Sequence, residues 1–328
     1  MELTIEKLRY RLYEEKDQQD ILDLWQRESG WGAITMEQFE KWFLNTPYGP
    51  CMMVVATDHE ERIVGQAVFF PAIVVVNGVE TKALRCAAPI IDNSLRQVNL
   101  NSANHPAFGM IKYGIEAGAE NGYDFVYSFP ALGWTALLKA FPRYGLPFMH
   151  VAVYDCFSIS LECALERETI LHTKIVTSGF DEAYDELWRE AEVQFPINCA
   201  VKRSAKWLSW KIGGHLVLET KDTNNNQLIG YTAINKKSGL IVDMLARTKD
   251  DLNSVIRSVI QYLHVSNAER PLPIQKLNGI LTPQMKDALN DIIYEKEPFD
   301  FAFSCYAMRG SALYESVDPA NWYMMPND

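Results

Sequence analysis

Residues 92 to 114 read DNSLRQVNLNSANHPAFGMIKYG and bring an acid, a base, an Asn-rich stretch and a histidine into one short span. The apolar run before it, LRCAAPII, reads as a strand, and PAFGMIKYGIEAGAENG reads as a helix. A helix that opens after a loop leaves unpaired N–H groups and a partial positive charge, which attract a phosphate. Glycine would let the backbone come closest to that anion, but the loop has none until Gly109. Asn and Ser are the next best residues, because they tolerate left-handed conformations and offer side-chain hydrogen bonds. Pro106 suits a first helical turn, where its missing N–H costs nothing. Arg96 can grip a phosphate bidentately, His105 can bind one as a cation or titrate near neutral pH, and Lys112 is a weaker partner one turn into the helix. Asp92, at the strand end, can accept a proton or cap the turn. The same residues also fit an ordinary polar connection with a solvated histidine.

The elements that must position this span follow from periodicity. YRLY (10–13) reads as a strand, DQQDILDLWQRE as a helix behind Asp17, and TMEQFEKWFL as a helix with Thr35 and Gln38 in capping-box spacing. CMMVVAT, RIVGQAVFFPAIVVV and VETKALRCAAPII then read as three antiparallel strands joined by DHEE and an Asn-Gly turn. After the loop and its helix come the strand YDFVYSF, the helix WTALLKAF and a strand within FMHVAVYDCFSISL. The expected class is α/β, with a mixed sheet.

Composition narrows the function. With 328 residues, 48% of them hydrophobic, the chain can fold as two domains with real cores. The net charge of −11, with no basic stripe, argues against nucleic acid and fits a cationic or amine-bearing partner. The six cysteines (51, 86, 156, 163, 199, 305) include no CxxC and read as buried thiols of a reducing cytoplasm. Six scattered histidines give no metal-ligand spacing. No run is long and apolar enough to span a bilayer, and the charged start lacks a signal-peptide core.

This order of elements, with IDNSLRQ (91–97) before the helix and GYDFVYSFPALGWTALLKAFPRYGLPF after it, resembles the GNAT acyltransferases, which use acyl-CoA. More narrowly it is similar to tandem GNAT proteins of bacterial polysaccharide and natural-product pathways, including a tryptophan near the C-terminus at Trp322. Ile91 and Arg96 match the family's loop pattern, whereas Asn93 and Gln97 replace its Pro and Gly. The resemblance implies two GNAT-like domains, 1–165 with an acyl-CoA site and 166–328 degenerate and shaping an acceptor cleft. It implies an N-acyltransferase with acyl-CoA as co-substrate and a lysine-bearing peptide, polyamine or amino sugar as acceptor. A non-catalytic binding module and a carrier-protein or long-chain donor are the alternatives.

By the same resemblance, backbone groups of Ile90 and Ile91 would meet the thioester. Arg96, Gln97, Asn104, His105, Gly109 and Lys112 would hold the CoA phosphates. Asp92, and after it Glu80, are the candidate bases, each with an ordinary role as turn cap or edge charge. The family's acid tyrosine falls on Phe141, so Tyr144 is the substitute, though an aromatic there also packs. Cys86, flanking the thioester strand, reads as a core thiol for want of a paired histidine.

The second half repeats the plan in reduced form: NQLIGYTAI parallels ERIVGQAVF. Its helix DDLNSVIRSVIQYLH starts almost directly after IVDMLART, and Asp250 and Asp251 there would repel an anion while stabilising the helix. One donor site, in the first half, is therefore expected. Asp243, Trp207 and Trp210 can line an acceptor cleft or belong to the core.

Overall fold

Val54 and Val55, adjacent and both fully buried, bury themselves in two different clusters, which only a strand covered on both faces allows. The structure is a computed structural model that describes residues 8–30, 32–87, 89–96, 105–147, 149–162, 171–195, 197–267, 273–308 and 318–328. It is α/β with a mixed sheet, as the sequence pattern requires. The chain divides into two compact units: Met1–Val74, Glu80–Ala152 and Ala302–Pro319 form one, and Val75–Val79, Val153–Phe301 and Ala320–Asp328 the other. Each unit therefore takes a segment from beyond residue 165 or before it.

The first unit opens with β1 (Arg9–Leu12), α1 (Gln18–Glu28) and α2 (Met36–Phe39). Asp17 does not cap α1 through its side chain; its carboxylate takes the Arg11 guanidinium at 2.6 and 2.8 Å and the Glu14 N–H at 2.8 Å. Thr35 and Gln38 do form the reciprocal capping box of α2. Then follow β2 (Met52–Thr57), β3 (Ile63–Val76) and β4 (Val79–Cys86), with Asn77 and Gly78 both at positive φ in the turn between the last two.

VETKALRCAAPII, expected as one strand, is two, since β5 (Ile90–Ile91) resumes after an interruption. The Ala87 N–H bonds to Val68 O, while Ile90 faces Gln66. Three steps on this strand thus oppose two on β3, a one-residue bulge that Pro89 tolerates. After it come α3 (Asn93–Arg96), α4 (Pro106–Glu120), β6 (Phe125–Ser128), α5 (Thr135–Ala140) and β7 (His150–Ser160), the last reaching into the second unit.

Helices α4 and α5 cover one face of this sheet and α1 and α2 the other. The helix α4 lies close because it presents glycine to the strands: a Cβ on Gly109 would fall 2.1 Å from the Tyr10 ring, and one on Gly114 2.2 Å from Phe69.

In the second unit, β8 (Leu171–Ile175), α6 (Glu182–Gln194), β9 (Cys199–Val201) and α7 (Ala205–Ile212) precede the meander β10 (Leu216–Asp222), β11 (Leu228–Ile234) and β12 (Ile241–Ala246). The helix α8 (Lys249–Ser266) begins two residues after β12, capped by Thr248 and with Asp250 and Asp251 in its first turn. It covers one face of the sheet β12-β11-β10-β8, and α6 covers the other, where Tyr184 meets Tyr231 and Glu219.

The chain finishes with β13 (Lys276–Ile280), α9 (Pro283–Ala288), β14 (Glu295–Ala307) and β15 (Trp322–Tyr323). Residues 304–307 of β14 pair antiparallel with β6 in the first unit. Trp322 pairs parallel with Cys199 in the second. No helix among the described residues is long and apolar enough to cross a membrane.

Candidate active site

The strands β4 and β6 run parallel through Ala83↔Phe125, Leu84↔Val126 and Arg85↔Tyr127. Beyond that point the bulge carries the chain along β3, where Gly65 and Gln66 face Ile91 and Ile90. The two parallel strands therefore part at their carboxyl ends, the usual place for a ligand crevice in such sheets. The Asp92 N–H bonds to Val64 O across β3 at 2.9 Å. By strand alternation, the N–H and C=O of Ile91 face the opposite, opened edge.

A cleft of about 350 Å³ lies at this opening, wholly within the first unit. Pro89, Ile90 and Ile91 form one wall, Arg96 and His105 another, and Glu28, Ser29 and Trp134 complete it. Of the expected site residues, Ile90, Ile91, Arg96 and His105 are thus brought together. Glu28 and Trp134 were not expected. Nothing local marks Glu28, which meets Arg96 across 68 positions of sequence.

Arg96 is already engaged: Nε donates to Ile91 O at 2.9 Å, and Nη2 contacts the carbonyl of Glu28 and its carboxylate, the latter at 3.0 Å. The Glu28 side chain is largely buried and that of Arg96 half exposed. His105 is the N-cap of α4, with Nδ1 accepting the Ala107 N–H at 3.2 Å. Burial holds its pKa below the usual histidine value, so it lines the cleft as a neutral ring rather than as the cation expected to grip phosphate.

Asp92 behaves as a turn cap. Its carboxylate accepts from the Ser94 N–H at 3.1 Å and the Ser94 hydroxyl at 2.6 Å. Burial raises its pKa, but the Ser94 hydrogen bonds and the Arg62 and Arg27 charges outweigh that and hold it below the usual value, which weakens it as a base.

Glu80 stands exposed near the start of β4, six residues before Cys86, or about 20 Å along the strand from the end that carries the cleft. Gly109 serves the Tyr10 ring rather than an anion, and Lys112 is exposed on α4. Tyr144 stacks on Phe108 at 5.4 Å, and Phe108 in turn touches the His105 ring at 5.6 Å. Gln97 and Asn104 lie outside the described residues. Burial pushes the Cys86 thiol up to about 12, which makes it inert as a nucleophile. In the second unit, Asp243 and Trp207 are buried in the core rather than lining a cleft. Among the described residues no cluster of His, Cys, Asp and Glu could hold a metal.

No protein-family model matches the chain, and no curated protein matches it. Solved structures do. A GCN5-related N-acetyltransferase from Anabaena variabilis superposes with a TM-score of 0.66 at 12% identity, over 92% of this chain and 73% of that one. A conserved protein of unknown function from Enterococcus faecalis, described as a probable N-acyltransferase, gives 0.64 at 13% identity over 90% and 71%. Yeast N-myristoyltransferase, solved with bound myristoyl-CoA, gives 0.56 at 10% identity over 91% and 82%. The fold is therefore that of the GCN5-related N-acetyltransferases, and its extent along the chain is consistent with two GNAT-like units.

Proposed function

We propose that the chain moves an acyl group from acyl-CoA to an amine by direct attack in a ternary complex. The observation that carries this reading is the opened β4–β6 edge, where Ile91 and His105, the N-cap of α4, line one cleft. The yeast neighbour's bound myristoyl-CoA supports the donor class. The net charge of −11 favours a cationic acceptor such as a lysine-bearing peptide, a polyamine or an amino sugar. In this reading the first unit holds the donor, and the second, whose α8 follows β12 without a loop, shapes the acceptor site.

Acetyl-CoA, a long-chain acyl-CoA and free CoA should each raise the melting temperature logarithmically with concentration, adding about 2.7 kcal/mol of stability at a hundred times Kd. Their ranking reports the acyl length. No shift at millimolar ligand would refute the CoA-dependent reading. A non-catalytic module is favoured by one observation: Arg96 already spends its guanidinium on Ile91 and Glu28.

That pair supplies a second test. Arg96→Ala leaves the Glu28 carboxylate uncompensated beside the cleft, and CoA affinity should fall about tenfold at low ionic strength and less at high salt. Glu28→Gln should strengthen binding several-fold. Calorimetric titrations of both variants with CoA at two salt concentrations check this. Equal affinity throughout would remove Arg96 and Glu28 from the donor site.

A further inference from the structure

One polar side-chain atom at the cleft, Nε2 of His105, has no partner among the described residues. We propose that the Nε2–H of His105 donates a hydrogen bond to the acyl carbonyl oxygen of the thioester, beside the Ile91 N–H, and stabilises the oxyanion formed as the amine adds. This deepens the acyltransferase reading and rests on it.

The tautomer follows from geometry. His105 is 4% exposed, and its Nδ1 accepts the Ala107 N–H. A ring nitrogen that accepts is unprotonated, so the hydrogen of the neutral imidazole sits on Nε2. Protonating Nδ1 would break the cap and place a cation at the positive end of α4. With Nδ1 turned back to the helix, Nε2 points away from it, and the residue lines the cleft. Among the described residues Nε2 has no hydrogen-bond partner. An N–H at the cleft that the fold leaves free can donate to a ligand oxygen.

Charge and size say which oxygen. Glu28 and Arg96 cancel one another, and His105 is neutral, so this part of the lining offers hydrogen bonds without net positive charge. That suits a carbonyl better than a pyrophosphate, which calls for cations. A volume of about 350 Å³ is at the low end of the roughly 300–1,000 Å³ of ligand pockets and fits the reactive end of a long donor.

In the step itself the acceptor ammonium first gives up a proton, and the amine lone pair then forms a bond to the carbonyl carbon. The C=O π pair moves onto oxygen, held by His105 and Ile91. The C=O re-forms as the C–S bond breaks, the nitrogen loses its second proton, and the thiolate takes one. Amide, CoA thiol and one proton leave.

The test uses His105→Asn, because asparagine remains a strong N-cap while lacking the reach of Nε2. CoA and acetyl-CoA binding are measured by calorimetry, and CoA release from acetyl-CoA by thiol detection with spermidine, glucosamine and a lysine peptide. The expected result is a kcat lower by about 10²-fold, the effect of removing one oxyanion donor, with CoA affinity retained. Nitrogen-15 NMR of the wild-type histidines should show His105 protonated at Nε2. The proposal is overturned by an unchanged kcat, by equal loss of CoA and acetyl-CoA affinity, which would make His105 a phosphate ligand, or by a proton on Nδ1. If the wild type binds acetyl-CoA yet acylates none of the amines, the acyltransferase reading falls, and the proposal with it. A loss confined to the comparison of variant with wild type concerns His105 alone.

Discussion

Replacing Arg203 by methionine should lower the unfolding free energy by about 3–5 kcal/mol, the usual cost of stripping one partner from a buried ion network. Its side chain is fully buried, and its Nε donates to Asp243 Oδ1 at 2.9 Å, Nη1 to Val201 O at 2.8 Å and Nη2 to both Asp328 oxygens at 2.8 Å. Tyr231 donates to the other Asp243 oxygen at 2.7 Å, and the Met325 N–H to Asp328 at 2.7 Å. The guanidinium also lies 5.1 Å from the centre of the Tyr323 ring. Without Arg203 two carboxylates stay buried with no cation, which is a large share of a typical stability of about 5–15 kcal/mol. Urea denaturation checks it, and a variant that also converts Asp243 and Asp328 to asparagine should recover part of the loss.

The network has a pH signature. Burial, outweighing the attraction of Arg203, pushes the Asp328 carboxyl from its ordinary 3.8 to about 6. Because the folded value is the higher one, the protonated form is favoured by folding. Its contribution is complete below about pH 4 and is lost as pH rises towards 6. The difference in unfolding free energy between wild type and Asp328→Asn should therefore fall across that window and level off above it. A difference that rises with pH would show that the charge pair dominates instead.

Gly114→Ala should cost about 2–3 kcal/mol, although alanine is by about 1 kcal/mol the better helix former. The added Cβ would sit 2.2 Å from two atoms of the Phe69 ring, and Phe69 is fully buried on β3. The ring cannot leave the core, so α4 must rise from the sheet. Thermal denaturation of this variant beside Gly109→Ala makes the comparison. Gly109 meets only the outer end of the half-buried Tyr10 ring, which has more room to turn, so its loss should be smaller.

The same helix shows what sequence reading catches. Pro106 at its first turn, the periodicity through Glu120 and the capping box at Thr35 are local signals, written in residues a few positions apart, and each element stands where those signals put it. Gly109 reads in sequence as a phosphate contact, but it and Gly114 make room for rings from β1 and β3, out of reach of any local pattern.

The chain by itself determined the α/β class, the strand–loop–helix order around residue 92 and the direct passage from β12 to α8, because periodicity and caps are short-range and survive in one dimension. Only the tertiary structure decided that β4 breaks at a bulge and turns Ile91 to an open edge, that Glu28 holds Arg96, that His105 is a buried neutral cap, and that Arg203 binds Asp243 and Asp328. Those contacts join residues up to 125 positions apart. Their free energy comes from taking charges and N–H groups out of water, and that depends on burial, which no stretch of sequence contains.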